Sequence, residues 1–214
     1  MHLTADSTTL TTRERAVGSA RLALPFQVGC VVLAVVLSLI GFNTQPWLAA
    51  LLVPALAAPT VLELIFRTPI PWPLQLHYLL FITAGPFAGS ALNLYWWFPE
   101  WDTLVHFDSG IMIAWLGMLF VRRAEVRVGE AFPRWFALTV IQLTAMAFAA
   151  AWEICEFASD QLIGTVSQHD LADTMSDILA GTVGGLTAIA VLVLLRRPRT
   201  MLPMSFVPGD LVDR

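Results

Sequence analysis

Six stretches of this chain, at about residues 24–42, 47–66, 74–94, 102–121, 135–157 and 174–195, are dominated by apolar side chains. Each is close to the ~20 residues that an α-helix needs to cross a hydrocarbon layer of ~30 Å. The whole chain is 57% hydrophobic and only 13% charged, against about 25% charged residues in an ordinary soluble domain. A soluble fold of this length has no core large enough to hide that much apolar surface. The sequence therefore predicts an all-α, polytopic membrane bundle of six helices spanning residues 21–197, with short tails at 1–20 and 198–214. Pro54 and Pro59 interrupt the second run. Gly85, Pro86 and Gly89 interrupt the third. Both read as kinks, which membrane helices tolerate. Arg13, Arg15 and Arg21 before the first run resemble the start of a signal peptide. The run is too long for one, and no A-x-A-like cleavage site follows it. It reads as an uncleaved first span.

Charge gives the chain an orientation. All twelve basic residues are arginines, and they fall before the first run, after the sixth, or in the second–third and fourth–fifth connections. The other three connections contain none. By the positive-inside rule both termini are cytoplasmic, and the expected location is a bacterial inner membrane. The outer side then holds Glu100, Asp102, Asp108, Glu153, Glu156, Asp160, Asp170, Asp173 and Asp177, with no Arg or Lys. This asymmetry gives no support to nucleic-acid binding, and the bilayer is the evident partner. Cys30 and Cys155 both lie in apolar runs and read as small packing residues.

The outer acids are ordered by helical phase. Asp102 and His106 are four apart and share a face of the fourth span. Asp108 points elsewhere, about 9 Å further along. Glu153, Glu156 and Asp160 form one stripe at the end of the fifth span. His169, Asp173 and Asp177 form another at the start of the sixth, joined by Asp170. Asp102, Asp170 and Asp173 are placed where a carboxylate can simply cap a helix N-terminus. Capping does not account for Glu153 and Glu156, which sit at the end of their span, where the helix dipole repels anions. Asp108 and Asp177 lie a turn or more inside theirs. An aspartate deep in a membrane helix costs about 2.5–3.5 kcal/mol, and such residues usually face a bundle interior or a wet cavity. With no Arg or Lys on this face, the cluster is left with three neutralisers: protons, the two histidines, or a metal ion. Carboxylates with imidazole suit zinc, manganese or iron, and carboxylates with fewer histidines suit magnesium or calcium.

The remaining features have structural readings. Gly181, Gly184 and Gly185 permit close helix packing, and so do Gly85 and Gly89. Glu63 and Arg67 are spaced as an i,i+4 ion pair. His77 reads as a hydrogen-bonded packing residue. Tyr95-Trp96-Trp97-Phe98 with Trp101 reads as an interfacial aromatic belt.

The strings WDTLVHFDSG, WEICEFASD and DLADTMSDILAGTVGG together resemble the YjdF-like bacterial inner-membrane proteins, a family of unknown activity, and more loosely the wider VanZ-like group. The resemblance covers about residues 95–187 and falls on Asp102, His106, Phe107, Gly110, Glu153, Glu156, Asp173, Asp177 and Gly181. The first three spans are similar only in being hydrophobic. The resemblance implies a polytopic membrane protein with a polar site, and it supplies no reaction.

Three functions fit these residues. One is a metal-assisted hydrolase or transferase acting on a lipid-linked or envelope substrate. Its ligands would be Asp102, His106, Glu153, Glu156, Asp173 and Asp177, around a divalent metal ion. His106, Glu153 or Glu156 would activate water. Another is a small proton- or cation-coupled transporter using the same carboxylates. The third is a membrane scaffold or accessory protein whose acids only satisfy helix ends. A phosphatase of the Arg/Lys type is disfavoured, since no cation reaches the acidic side, and His106 and His169 lack a spacing that points to heme.

Overall fold

A computed structural model describes residues 11–42, 46–66 and 69–194. Among these the chain forms eight α-helices and one π-helical segment, with no strand. The helices are α1 (Thr12–Leu39), α2 (Pro46–Ala55), α3 (Ala58–Phe66), α4 (Trp72–Ile82), α5 (Leu94–Trp97), α6 (Glu100–Val128), α7 (Arg134–Ile163) and α8 (Leu171–Leu194). The π segment, Thr83–Ala91, continues α4. Four helices, α1, α6, α7 and α8, are long and apolar enough to cross a membrane. The fold is the all-helical membrane bundle that the apolar runs predict.

Helix ends depart from the apolar runs because caps set them. α1 begins at Thr12, well before the first apolar run. Glu14 N–H donates to the Thr11 hydroxyl at 3.2 Å, and Thr11 N–H donates to the Glu14 carboxylate at 2.8 Å. This capping box satisfies backbone donors that a helix start otherwise leaves free. Part of the expected 1–20 tail is therefore helical. Residues 1–10 and the 198–214 tail lie outside the described residues. α7 continues to Ile163, so Glu153 and Glu156 lie about two to three turns inside it rather than at its end.

The second and third runs are composite rather than single helices, and prolines are the reason. Pro59 has no N–H to offer the carbonyl of Ala55, four residues back. The helix breaks there, between α2 and α3, and the Tyr78 hydroxyl donates to the freed Ala55 carbonyl at 2.9 Å. Pro86 lies inside the π segment, whose wider winding shows in the bond from Leu92 N–H to the Phe87 carbonyl, five residues back, at 3.0 Å. Trp101 Nε1–H donates to the Ala84 carbonyl of that segment at 2.8 Å. The positive φ of Asn93 (60°) then ends the segment, a left-handed conformation that Asn tolerates better than most residues.

Two packing devices hold the bundle. Between α6, α7 and α8 they are small residues. A Cβ added to Gly184 would overlap the Phe107 carbonyl oxygen, one on Gly181 would come within 2.9 Å of Ala149 Cβ, and one on Gly185 within 2.7 Å of Ala145 Cβ. Backbones in contact at this range exclude lipid and gain dispersion energy, the usual basis of membrane helix association. At the opposite end Glu63 is the pin. Its carboxylate is 2% exposed and accepts from Ser19 Oγ at 2.6 Å on α1, Ile70 N–H at 2.9 Å and Gln75 Nε2 at 3.3 Å on α4. The pairing expected with Arg67 falls outside the described residues. The glutamate turns inward and joins three parts of the fold. Cys30 is buried, Cys155 is exposed, and both are free thiols.

Candidate functional site

α6, α7 and α8 bring five of the six expected ligand residues together. Asp102 and His106 come from α6, Glu153 and Glu156 from α7, and Asp177 from α8. One ligand atom each of Asp102, His106 and Asp177 lie within 4.8 Å of one another, and so do those of His106, Glu153 and Glu156. His106 belongs to both groups. Its Nε2 is 3.5 Å from Asp102 Oδ1 and 3.8 Å from Glu153 Oε1. These gaps are too long for good hydrogen bonds. They are close to the ~3.4 Å that separates two donors each ~2.1 Å from a tetrahedral metal ion. His106, Glu153 and Asp177 are buried, at 4%, 3% and 2% exposure.

The two oxygens of Glu153 have different surroundings. Oε2 lies 3.4 Å from the Gln168 side-chain amide. Oε1 is fully enclosed and has no hydrogen-bond partner among the described residues. An enclosed carboxylate oxygen without a donor carries a large desolvation penalty, and this one is directed at the imidazole nitrogen. Glu156 is oriented by Trp152, whose Nε1–H donates to its Oε1 at 2.9 Å. Gln168 also donates to the Glu153 carbonyl at 3.2 Å and to Thr174 Oγ1 at 3.0 Å. Gln168 is itself set by Asp160, whose carboxylate accepts from the N–H groups of Ser167 at 2.8 Å and Gln168 at 3.0 Å. Asp160 thus organises the α7–α8 loop rather than joining the cluster.

The other acids separate by position. Asp102 sits in the first turn of α6, and its carboxylate faces the cluster, with Oδ1 3.5 Å from His106 Nε2. Asp170 is a cap: its Oδ1 accepts from Asp173 N–H at 3.0 Å. Asp173, the sixth expected ligand, accepts from His169 N–H at 3.3 Å at the start of α8. It lies outside both close groups while remaining near enough to act electrostatically on Asp102 and His106. Asp108 pairs with His77 instead, with Nε2 3.0 Å from each carboxylate oxygen. His77 is therefore a hydrogen-bonded packing residue, as its place in the sequence suggests, and its partner Asp108 joins α4 to α6.

Tyr95 is the residue whose place the sequence misassigns. Trp96 and Trp97 are 81% and 73% exposed, as an interfacial belt requires. Tyr95 beside them is half-buried and turned inward. Its ring lies against Gly89, where an added Cβ would overlap it, and its hydroxyl passes close to Gly85 and stands near the Asp102 carboxylate. Burial, and then the charge of Asp102, push the phenol well above its ordinary range, so the hydroxyl stays protonated and donates.

Imidazole nitrogen and carboxylate oxygens from three helices, with Trp152 and Gln168 on Glu156 and Glu153, make a donor set suited to a first-row divalent ion. No Arg or Lys occurs in residues 68–121 or 135–195, so no side-chain cation from those segments offsets the carboxylates. Residues 23–198 match a family described as "Predicted membrane protein (DUF2238)". No curated protein and no solved structure matches the chain.

Proposed function

We propose, for a chain that belongs to this DUF2238 family of predicted membrane proteins, that Asp102, His106, Glu153 and Asp177 bind a divalent metal ion, with Glu156 beside it as the base, and perform metal-assisted hydrolysis or transfer. The observation that carries this reading is the orphaned, fully enclosed Glu153 Oε1 facing His106 Nε2 at 3.8 Å. A cation between them would satisfy both atoms and neutralise carboxylates that have no Lys or Arg nearby in sequence. A bound ion lowers the pKa of its water. Asp102, His106, Glu153 and Asp177 would hold the ion, and Glu156, oriented by Trp152, would be the base that accepts the proton of that water. The arginine distribution supports a site at the outer face of a bacterial inner membrane, within reach of lipid-linked and envelope substrates. The likeness to YjdF-like inner-membrane proteins supports the same placement.

Metal analysis of the purified protein tests the reading. The wild type is expected to retain about one divalent ion per chain, and Glu153→Gln and His106→Ala are expected to lose it. Equal and negligible metal in all three sinks it.

A second reading is a proton- or cation-coupled transporter. It is favoured by the recurrence of polar groups away from the cluster, at His77–Asp108 and then at Glu63–Gln75–Ser19 toward the other end. Cation or proton flux in vesicles that stops in Asp108→Asn, with no hydrolytic activity, would select it.

A further inference from the structure

We propose that Tyr95 is a positioning residue of this site: its hydroxyl holds Asp102 so that Oδ1 faces His106 Nε2, and the π segment is the socket that receives its ring. The inference rests on the metal-site reading and deepens it.

The geometry is built from both sides. Along α4 and its continuation, Gly85 and Gly89 are four apart and present one bare strip. At Gly89 no side chain fits, because a Cβ would overlap the Tyr95 ring. At Gly85 a Cβ would stand 2.6 Å from Val105 Cγ1 and 3.6 Å from the Tyr95 hydroxyl oxygen. The strip therefore admits the ring at one glycine and seats the α6 side chain preceding His106 at the other. The left-handed Asn93 turns the chain back, so that Tyr95 lies over the segment it has just left. π-helical turns within helices occur frequently at functional sites, and here the altered winding coincides with a tyrosine socket. Trp101 anchors the first turn of α6 to the same segment through the Ala84 carbonyl. Asp102, the next residue, is thus fixed through its backbone by Trp101, with the Tyr95 hydroxyl beside its carboxylate.

A donor on the far oxygen of a ligating carboxylate selects the rotamer and the oxygen that faces the ion. Loss of such a partner typically weakens metal affinity about 10–100-fold. A tyrosine that served only as interfacial packing would have no such effect once its hydroxyl alone was removed.

The test compares zinc affinity, by chelator competition, and metal-free thermal stability for the full chain in detergent micelles. Tyr95→Phe keeps the ring and removes the hydroxyl. It is expected to weaken zinc binding about 10–100-fold with the metal-free melting temperature unchanged. Gly89→Ala, which displaces the ring, is expected to weaken zinc binding at least as much. In an Asp102→Asn background Tyr95→Phe should add little, since the two act through one contact. Wild-type affinity in Tyr95→Phe, or a fall in melting temperature with affinity retained, overturns the proposal while leaving the metal reading intact. Absence of zinc binding by the wild type overturns both.

Discussion

Gly110 on α6 and Gly181 on α8 face each other with no space for a methyl group between them, since a Cβ on Gly110 would overlap the Gly181 carbonyl oxygen. This contact lies one turn below His106 and one turn below Asp177 on their respective helices, so it sets the spacing of the cluster above it. Gly110→Ala must push α6 and α8 apart. The expected cost is about 1–3 kcal/mol, the usual range for overpacking. Gly181→Ala, which meets the Ala149 methyl at 2.9 Å, should cost less. Thermal unfolding in detergent checks the order, and metal content should fall with Gly110→Ala because the ligands on the two helices separate.

Glu63 should behave as a structural acid. Its three donors come from Ser19, Ile70 and Gln75. Glu63→Ala leaves buried donors unsatisfied, at about 1–3 kcal/mol for each group that finds no new partner. Glu63→Gln keeps an acceptor and should cost less. Equal stability of both variants and the wild type would contradict the pinning role, and metal content should be unaffected by either change.

The His77–Asp108 pair predicts a coupling that single variants do not reveal. Both side chains are partly exposed, at 22% and 46%, so each replacement alone should have a small effect. A double-mutant cycle of His77→Ala and Asp108→Asn is expected to return a coupling of about 1 kcal/mol. Additive effects would show that the 3.0 Å contact contributes nothing in the membrane protein.

Asp160 is expected to act on the site through Gln168. Asp160→Ala removes the acceptor for two loop N–H groups. Hydrogen exchange at Ser167 and Gln168 should rise strongly, and metal affinity should weaken in parallel with Gln168→Ala. If exchange rises while affinity in both variants stays at the wild-type level, the loop has no part in orienting Glu153.

Helical phase made much of this architecture legible in the sequence. Apolar run length marks the four long helices, and the three- and four-residue spacings place Asp102 with His106 and Glu153 with Glu156. The separation of Asp170 as a cap from the buried Asp177 also follows helix-end logic. Contacts between distant segments were not legible. Tyr95 shares the composition of an aromatic belt, and only the return turn at Asn93 brings it to Asp102. Gln168 carries no charge and lies in a loop, so no periodicity marks it. His77 and Asp108 are thirty-one residues apart, and nothing local to either points to the other. The break at Ala55 shows the same limit: the prolines announced a kink, but the tyrosine that takes the freed carbonyl lies in another helix.

α6 serves every one of these neighbours at once. Trp101 ties it to the π segment, Asp102 and His106 face α7 and α8, Asp108 reaches α4, and Gly110 is closed against α8. Successive residues of a helix are offset by about 100° around its axis, so these partners surround the helix on different sides. A twist of α6 large enough to open the cluster would also pull Asp108 from His77 and drive Gly110 into its neighbour. The helix works as a keyed shaft: the acidic cluster and the distant His77 contact either hold together or release together.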